Sequence, residues 1–386
     1  MTVRQGGDGQ LGESYNENWW QNGEWLSSCL TGTNYYEVVD SEPRYLEEIR
    51  DGNLEERVHV DSDHQFIKVR ALGSRESQWM MLDHDGKNID RMEDVLGRII
   101  LAKLRGADGF FLPYDMIWDR SSDDGLAGYV MHPIDMSRFV PIRNYLHTTQ
   151  APRWFLSYSL FERIGLMQSK GITMGGFGRE QVFVDQRDMR IWIFTGDSLR
   201  IGRKTGGALP SWEYEDRYQD GFLAAPRAAI DGFRERSIQV PAIVYDIFSA
   251  ASLSFYLLFY THPFVGNYYW YSGSLNPAVY HDYYQTHPMY IFDEEHIETN
   301  PNVLQNDPDQ EFNAIVLEQW DRTAPELKTL FNSLFMDICY PHEFTGQESY
   351  LQVENWLQAI NADGRINDNE SSRQDIDFAM YQSLLV

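Results

Sequence analysis

The sequence predicts an α+β fold in which a small β-rich lobe precedes a larger helical lobe. Short runs with high β propensity, separated by polar turns, occupy much of the segment 35–135. Apolar residues at helical spacing dominate after Pro141. With 42% hydrophobic and 14% aromatic residues, the chain has enough apolar material for a buried core. We therefore divide it into an N-terminal arm (1–34), an N-lobe (35–135) and a C-lobe (136–386).

The N-lobe is predicted to consist of strands around one helix. The arm before it is rich in Gly, Asn, Gln and Trp, and we expect its tryptophans to dock on the chain's own body, because exposed Trp clusters are unfavourable. The predicted strands are 57–60, 65–69, 78–82, 110–118 and 128–132, and the amphipathic helix is 89–104.

The C-lobe is predicted to be mainly helical. The predicted elements are a helix at 154–170, a hairpin with strands 181–184 and 190–194, an irregular segment at 203–241, a buried helix at 245–260, a loop-rich region at 261–311, two closing helices at 327–335 and 351–360, and a short helix at the C-terminal end. The most apolar stretch, 243–259, is too short and too polar for a membrane span, so we expect a buried helix there.

Charge and cysteine content exclude several classes of function. The formal net charge is −26, which repels phosphate backbones and anionic headgroups, so we expect neither nucleic-acid nor membrane-surface binding. Only two cysteines are present, which argues against a disulfide framework or a cysteine-based zinc site. The N-terminus has neither a basic nor an apolar signal region. We expect a soluble cytoplasmic protein.

One segment carries a specific resemblance. From Lys170 the sequence reads KGITMGGFGREQVFVDQRDMRIWIFTGDSLRIG, which resembles the catalytic-loop and metal-loop hairpin of protein kinases. The form it resembles is compact, HGDxNPxN followed by DxDS, and belongs to a bacterial kinase-like family. Downstream, YDIFSAASLSFYLLFYTHPFVG resembles the central helix of that family, and upstream GYVMHPID resembles the passage between its lobes. The order and spacing agree over about 65–360, so the resemblance implies a two-lobed kinase-like fold.

The functional positions of the family fall on residues of other types here. The resemblance places Met174 at the catalytic-loop His, Gly176 at the catalytic Asp, Gln181 at the metal-binding Asn and Thr195 at the metal-binding Asp. Glycine cannot orient a hydroxyl, and threonine offers a neutral oxygen where Mg²⁺ prefers a charged one. A shifted register would make Asp197 the metal ligand, but position 176 would still lack a carboxylate.

The nucleotide-binding features of the N-lobe are also incomplete. No G-x-G-x-x-G precedes a strand. The phosphate-pairing lysine is either Lys68, partnered by Glu93, or it is replaced by a methionine in the run 78–82. We slightly favour the second alternative, because that run lies nearer to the predicted helix. The predicted cofactor-binding candidates are therefore Lys68, Glu93 and Asp197.

Asp246 has two interpretations of equal weight. It resembles the family's aspartate that accepts hydrogen bonds from the catalytic-loop backbone, which is a structural role. Alternatively, it is a residue placed near a helix start for electrostatic reasons.

The resemblance therefore predicts a pseudokinase that acts as a scaffold or allosteric regulator, without a metal ion. Binding of ATP without metal stays open, and the implied partner is a protein such as an active kinase or phosphatase. One alternative is an atypical nucleotide-binding phosphotransferase or adenylyltransferase, with Asp197, Glu180 or Asp185 as ligands. Another is an interaction module whose cleft is filled by Met174 and Phe177.

Overall fold

The chain divides into two compact units. The computed structural model describes residues 25–28, 35–45, 65–75, 77–82, 109–118, 126–131, 134–135, 137–146, 152–195, 200–201, 223, 225–238, 240–267, 284–305, 311–340 and 347–365. Described residues within Met1–Arg57, Ser62–Ile89 and Tyr114–Pro133 form the first unit, here called the barrel unit. The second, here called the helical unit, contains Asp90–Pro113 and everything from Ile134 onward that is described.

The strands of the barrel unit close on themselves. In chain order the first seven strands are β1 (Trp25–Ser28), β2 (Tyr35–Tyr45), β3 (Gln65–Ala71), β4 (Gln78–Leu82), β5 (Phe110–Phe111), β6 (Pro113–Trp118) and β7 (Leu126–Met131). The barrel has the order β1-β2-β3-β4-β7-β6, and β5 belongs to the helical unit. Closure comes from β1, which pairs antiparallel with both β2 and β6. A closed sheet leaves no exposed edge.

The interior of the barrel is small and apolar. Its buried cluster consists of Tyr36, Val38, Val69, Ile117 and Val130. On β2 the buried Tyr36 and Val38 alternate with half-buried residues, as expected where one face of a strand is inside. The Tyr36 hydroxyl donates to the buried Asp115 carboxylate at 2.8 Å. Burial, reinforced by this carboxylate, raises the pKa of Tyr36.

The helical unit combines helices with two small sheets. Its further elements are β8 (Phe139–Pro141), α1 (Arg143–Leu146), α2 (Arg153–Ser169), β9 (Ile172–Thr173), β10 (Val182–Asp185), β11 (Arg190–Phe194), β12 (Arg200–Ile201), α3 (Arg227–Glu235), α4 (Ala242–Phe259), α5 (Glu311–Arg322), α6 (Pro325–Cys339) and α7 (Val353–Ala362), with 3-10 turns at Arg179–Gln181, Glu294–His296 and Ser349–Leu351. One sheet has the order β5-β11-β10-β8, and the other pairs β12 with β9.

The core of the helical unit is built around α4. Every residue of α4 except Ile243 is buried. Although α4 is long and apolar enough to span a membrane, 94% of its apolar window is buried inside the unit, which agrees with the predicted core helix. α7 packs against α2, where Trp356 stacks on Phe161 with ring centroids 4.6 Å apart.

The structure confirms the predicted α+β class, with a smaller β-rich unit and a larger helical one. The predicted helix at 154–170, the hairpin and the buried helix at 245–260 agree with α2, with β10–β11 and with α4. Predicted elements at 57–60 and 89–104 and at the C-terminal end lie outside the described residues.

Four expectations about the elements were wrong. The predicted arm contains β1, a full member of the barrel. The single predicted strand at 110–118 breaks at Leu112 into β5 and β6, because β5 pairs in parallel with β11 in the other unit. α3 lies inside the segment predicted to be irregular, where flanking glycines and prolines obscured its apolar stripe of Ala229, Ile230 and Phe233. α5 was missed because the loop-rich pattern before it masked where the helix begins.

Candidate functional site

The candidate site is the loop between β9 and β10, with the end of β11. The loop runs from Met174 to Gly178 and continues into the 3-10 turn before β10. Gly175 and Gly176 both have positive φ, at 69° and 97°. This conformation suits glycine, which lacks the Cβ that makes it unfavourable for other residues. The chain path at the predicted catalytic position therefore depends on the absence of a side chain.

Side chains on α4 anchor this loop by accepting hydrogen bonds from its backbone. The Asp246 carboxylate is fully buried and accepts hydrogen bonds from the backbone N–H of Met174 at 3.0 Å and of Gly176 at 2.8 Å. These bonds are the ones that the structural interpretation of Asp246 requires. A buried carboxylate is stable only where such donors surround it.

Ser249 is a second anchor on the same face of α4, three residues after Asp246. Its hydroxyl accepts from the Phe177 N–H at 3.1 Å and donates to the Leu223 carbonyl at 2.8 Å. The sequence interpretation missed this residue. The available signal was a serine one turn along from Asp246, on the same face of the helix.

Met174 and Phe177 point into the helical unit. Met174 is 0% exposed and Phe177 is 5% exposed. The residue at the predicted catalytic-loop histidine position is thus an apolar core side chain.

Gln181, at the predicted Asn position, uses both ends of its amide within the protein. Its Oε1 accepts from the Gly178 N–H at 3.0 Å, and its Nε2 donates to the Phe194 carbonyl at 3.2 Å. The side chain links the loop to the end of β11.

Thr195, at the predicted metal-binding Asp position, is fully buried. Its hydroxyl donates to the Phe111 carbonyl at 3.2 Å, and its backbone N–H donates to the same oxygen at 3.3 Å. Thr195 therefore extends the pairing of β11 with β5.

Asp185, a ligand candidate of the enzyme alternative, forms an ion pair. Its carboxylate, only 1% exposed, accepts from Arg138 Nε at 2.9 Å. Hydrogen bonding from Arg138 lowers the pKa of Asp185, while burial opposes the shift. Glu180 lies in the 3-10 turn and is half-buried.

The described residues of the loop do not fit a magnesium ion held on a nucleotide. Mg²⁺ is bound through carboxylates that supply negative charge. Positions 176, 181 and 195 provide no carboxylate. Across the part of the chain that the structure describes, no group of three or more His, Cys, Asp or Glu side chains converges as a metal site.

The remaining predicted residues are spread over the chain. Lys68 lies on β3, where its Cα pairs with Asp40 and Trp79, and it is half-buried. The run 78–82 forms β4, between β3 and β7. Glu93 and Asp197 lie outside the described residues. Cys339 is a free thiol whose pKa is raised by burial, and Cys29 also lies outside.

Solved structures with protein-kinase folds are similar to the chain over most of its length. A rhoptry kinase from Toxoplasma gondii is 12% identical with a TM-score of 0.44, covering 90% of this chain and 88% of that one. The kinase domain of a Toxoplasma gondii rhoptry antigen is 13% identical with a TM-score of 0.43, covering 78% and 88%. Toxoplasma gondii ROP2, described as a virulence factor with a protein-kinase fold and no enzymatic activity, is 11% identical with a TM-score of 0.42, covering 83% and 89%.

No protein-family profile and no curated protein matches the sequence.

Proposed function

We propose that this chain is a catalytically inactive, kinase-like protein that acts by binding other proteins, as a scaffold or an allosteric regulator. The main support for the proposal is that the groups of the loop are hydrogen-bonded within the helical unit. Asp246 and Ser249 hold its backbone, and the side chains of Gln181 and Thr195 bond to backbone groups of the helical unit.

At the described positions 176, 181 and 195, no side chain offers a carboxylate for the chemistry. Phosphoryl transfer needs a carboxylate to orient the acceptor hydroxyl and charged ligands to hold the metal on the phosphates. Gly176 has no side chain, and the Thr195 hydroxyl is buried against Phe111. The residues that a kinase would use in the reaction serve here to stabilise the fold.

The enzyme alternative has less support. Of its ligand candidates, Asp185 already neutralises Arg138. Releasing it would leave a partly buried guanidinium without its partner, which is unfavourable.

An assay of phosphate transfer and adenylate transfer tests the proposal. The intact chain is incubated with γ- and α-labelled ATP and Mg²⁺ or Mn²⁺, with casein as acceptor and an active protein kinase as positive control. We expect no label on the chain or on casein. Metal-dependent transfer of either label would overturn the proposal.

Thermal unfolding with ATP then distinguishes the two inactive alternatives, a nucleotide-regulated scaffold and an interaction module with a filled cleft. A ligand that binds only the folded state raises the unfolding temperature. Stabilisation by ATP without metal indicates a nucleotide-regulated scaffold, and no stabilisation indicates a module in which Met174 and Phe177 fill the site.

Restoring the acidic group tests how far the loop has diverged. In Gly176→Asp the new Cβ would meet Ser249 Oγ at 3.4 Å at a φ of +97°. We expect the variant to lose about 1–2 kcal/mol of stability and to remain inactive. Gly364→Asp is the matched control, because its φ is +82° and nothing lies within 4 Å of its Cβ.

The proposal includes a cytoplasmic location and a protein partner such as an active kinase or phosphatase. The net charge of −26 suits a basic partner surface. An allosteric role predicts that the chain changes the catalytic rate of that partner at saturating concentration, whereas a scaffold changes only its encounter with a substrate.

A further inference from the structure

A small apolar surface stands out on the helical unit. Among the residues whose side-chain burial the structure describes, only three large hydrophobic ones are exposed: Leu72 at 66%, Ile297 at 49% and Tyr340 at 43%. Two of them are linked through His296: its ring stacks on Tyr340 with centroids 4.1 Å apart, and Ile297 is the next residue in the chain. We call His296, Ile297 and Tyr340 the aromatic patch.

A buried carboxylate fixes the aromatic patch in place. The Asp293 side chain is 0% exposed, and its Oδ2 accepts from the Tyr340 hydroxyl at 2.7 Å. Its Oδ1 lies 2.9 Å from His296 Nδ1 and accepts from the His296 backbone N–H at 3.1 Å. Burial of the hydroxyl and this bond raise the pKa of Tyr340, so the phenol stays neutral. Both rings are thus ordered before any partner binds, which lowers the entropic cost of association.

Three glutamates flank His296 and Ile297 in the chain. Glu294, Glu295 and Glu298 belong to the same turn and are exposed. An exposed tyrosine beside carboxylates suits a guanidinium or ammonium group, which is attracted by the ring face and by the acidic groups. Tyrosine is also enriched among residues that dominate binding energy at interfaces.

We propose that the aromatic patch is a docking site for a basic segment of a partner protein that presents arginine or lysine next to an apolar side chain. The apolar side chain would contact Ile297, and the cation would lie against Tyr340 and the glutamates. A second copy of the chain is a poor occupant, because with 58 acidic against 32 basic residues each copy repels another.

The test measures binding of a short fluorescein-labelled peptide in which arginines flank leucines, by fluorescence anisotropy with the full chain. Two matched peptides carry serine in place of leucine, or glutamate in place of arginine. Tyr340→Ala and Ile297→Ser are each expected to weaken binding about tenfold or more, as truncation of a dominant interface residue does. Ile297→Ser removes no internal hydrogen bond, so it remains informative if Tyr340→Ala perturbs folding.

Charge controls separate the site from general attraction to an acidic protein. Glu295→Lys with Glu298→Lys is compared with Glu235→Lys with Asp321→Lys, which makes the same change in net charge at exposed positions elsewhere. Leu72→Ser is the control for exposed apolar area on the barrel unit. The proposal is supported if only the patch variants weaken binding and the serine peptide binds less well than the leucine peptide. It is overturned if the wild type does not bind, if the control variants lose as much as the patch variants, or if the patch variants bind like the wild type.

Discussion

Asp246 shows how one residue can define the loop. Its buried carboxylate accepts from two backbone N–H groups that lie 70 and 72 residues earlier in the chain. The loop in turn places Gly176 at a positive φ and directs the Met174 side chain into the core. Because a buried donor without an acceptor is unfavourable, the loop conformation depends on the Asp246 side chain.

We predict that Asp246→Ala lowers the free energy of unfolding by about 2–4 kcal/mol, because the buried Met174 N–H and the partly buried Gly176 N–H each lose a charge-assisted hydrogen bond. Asp246→Asn keeps one acceptor oxygen and should lose less. Urea unfolding measures both, with Asp231→Asn as control, since the ion pairs of Asp231 are exposed and contribute little. Equal stabilities for Asp246→Ala and the wild type would contradict the structural role.

At the scale of elements, an ion pair joins β8 to β10. Asp185 ends β10 opposite Phe139, and Arg138 immediately precedes β8. The Arg138 guanidinium also lies 4.6 Å from the centroid of the Phe139 ring. The pair thus stabilises the edge of the four-stranded sheet that carries the hairpin.

This pair predicts a specific pH dependence. The pKa of Asp185 is lowered in the folded state, so its contribution to stability is present above its unfolded pKa, which is about 4, and is lost as pH falls through the folded value. Asp185→Asn should lower stability by about 1–2 kcal/mol at neutral pH, a figure kept small because Arg138 is partly exposed and screened.

Chemical denaturation at neutral pH and near pH 3 measures this effect. The difference between wild type and Asp185→Asn should shrink in acid. Glu318→Gln, which breaks an exposed pair with Arg322, should show almost no difference at either pH. A difference that grows in acid would contradict the assignment.

α4 carries the aromatic core of the helical unit. The Phe255 ring contacts Phe259, Phe331 and Phe335 with centroid distances of 4.5, 5.3 and 5.7 Å. These partners lie on α4 itself and on α6, so Phe255 connects the two helices.

Phe255→Ala should therefore destabilise the helical unit by about 3–5 kcal/mol, because the cavity lies among packed rings that have little room to collapse. Near-ultraviolet circular dichroism measures this effect as a shift of the cooperative thermal transition to lower temperature. Phe255→Leu fills most of the volume and should retain most of the stability. Equal melting of all three proteins would show that the core is not assembled as described.

At the scale of the whole molecule, charge is the dominant feature. A net charge of −26 on 386 residues favours solubility but opposes the compact state through self-repulsion. The ion pairs described here are mostly exposed and offset little of that repulsion.

Added salt should consequently stabilise the protein. Raising sodium chloride from about 0.01 M to about 0.5 M shortens the screening length from about 30 Å to a few ångström, and we expect the melting temperature to rise by about 2–5 °C. Calorimetry measures the shift. Choline chloride at equal ionic strength separates screening from specific ion binding, and a fall in melting temperature with both salts would contradict the prediction.

Most of the helical unit could be predicted from local pattern. α2, α4 and the β10–β11 hairpin agree with their predicted positions within a few residues, because apolar periodicity and turn residues are local properties. β1 could not be found this way, because it is only 4 residues long and is a strand only through its partners. The break that separates the 2-residue β5 from β6 was missed for the same reason. The sequence showed that positions 176 and 195 lack acidic residues. It did not show the hydrogen bonds that Gln181 and Ser249 make.

The sequence by itself determined the α+β class, the order of the main helices and the residue types at the candidate site, because these depend on composition and on spacing between near neighbours. Tertiary structure alone decided the closure of the barrel by β1, the burial of Thr195 against Phe111, 84 residues away, and the joining of His296 to Tyr340 through Asp293. Such contacts arise when packing brings distant segments within hydrogen-bonding reach, and no local pattern encodes which segments will meet.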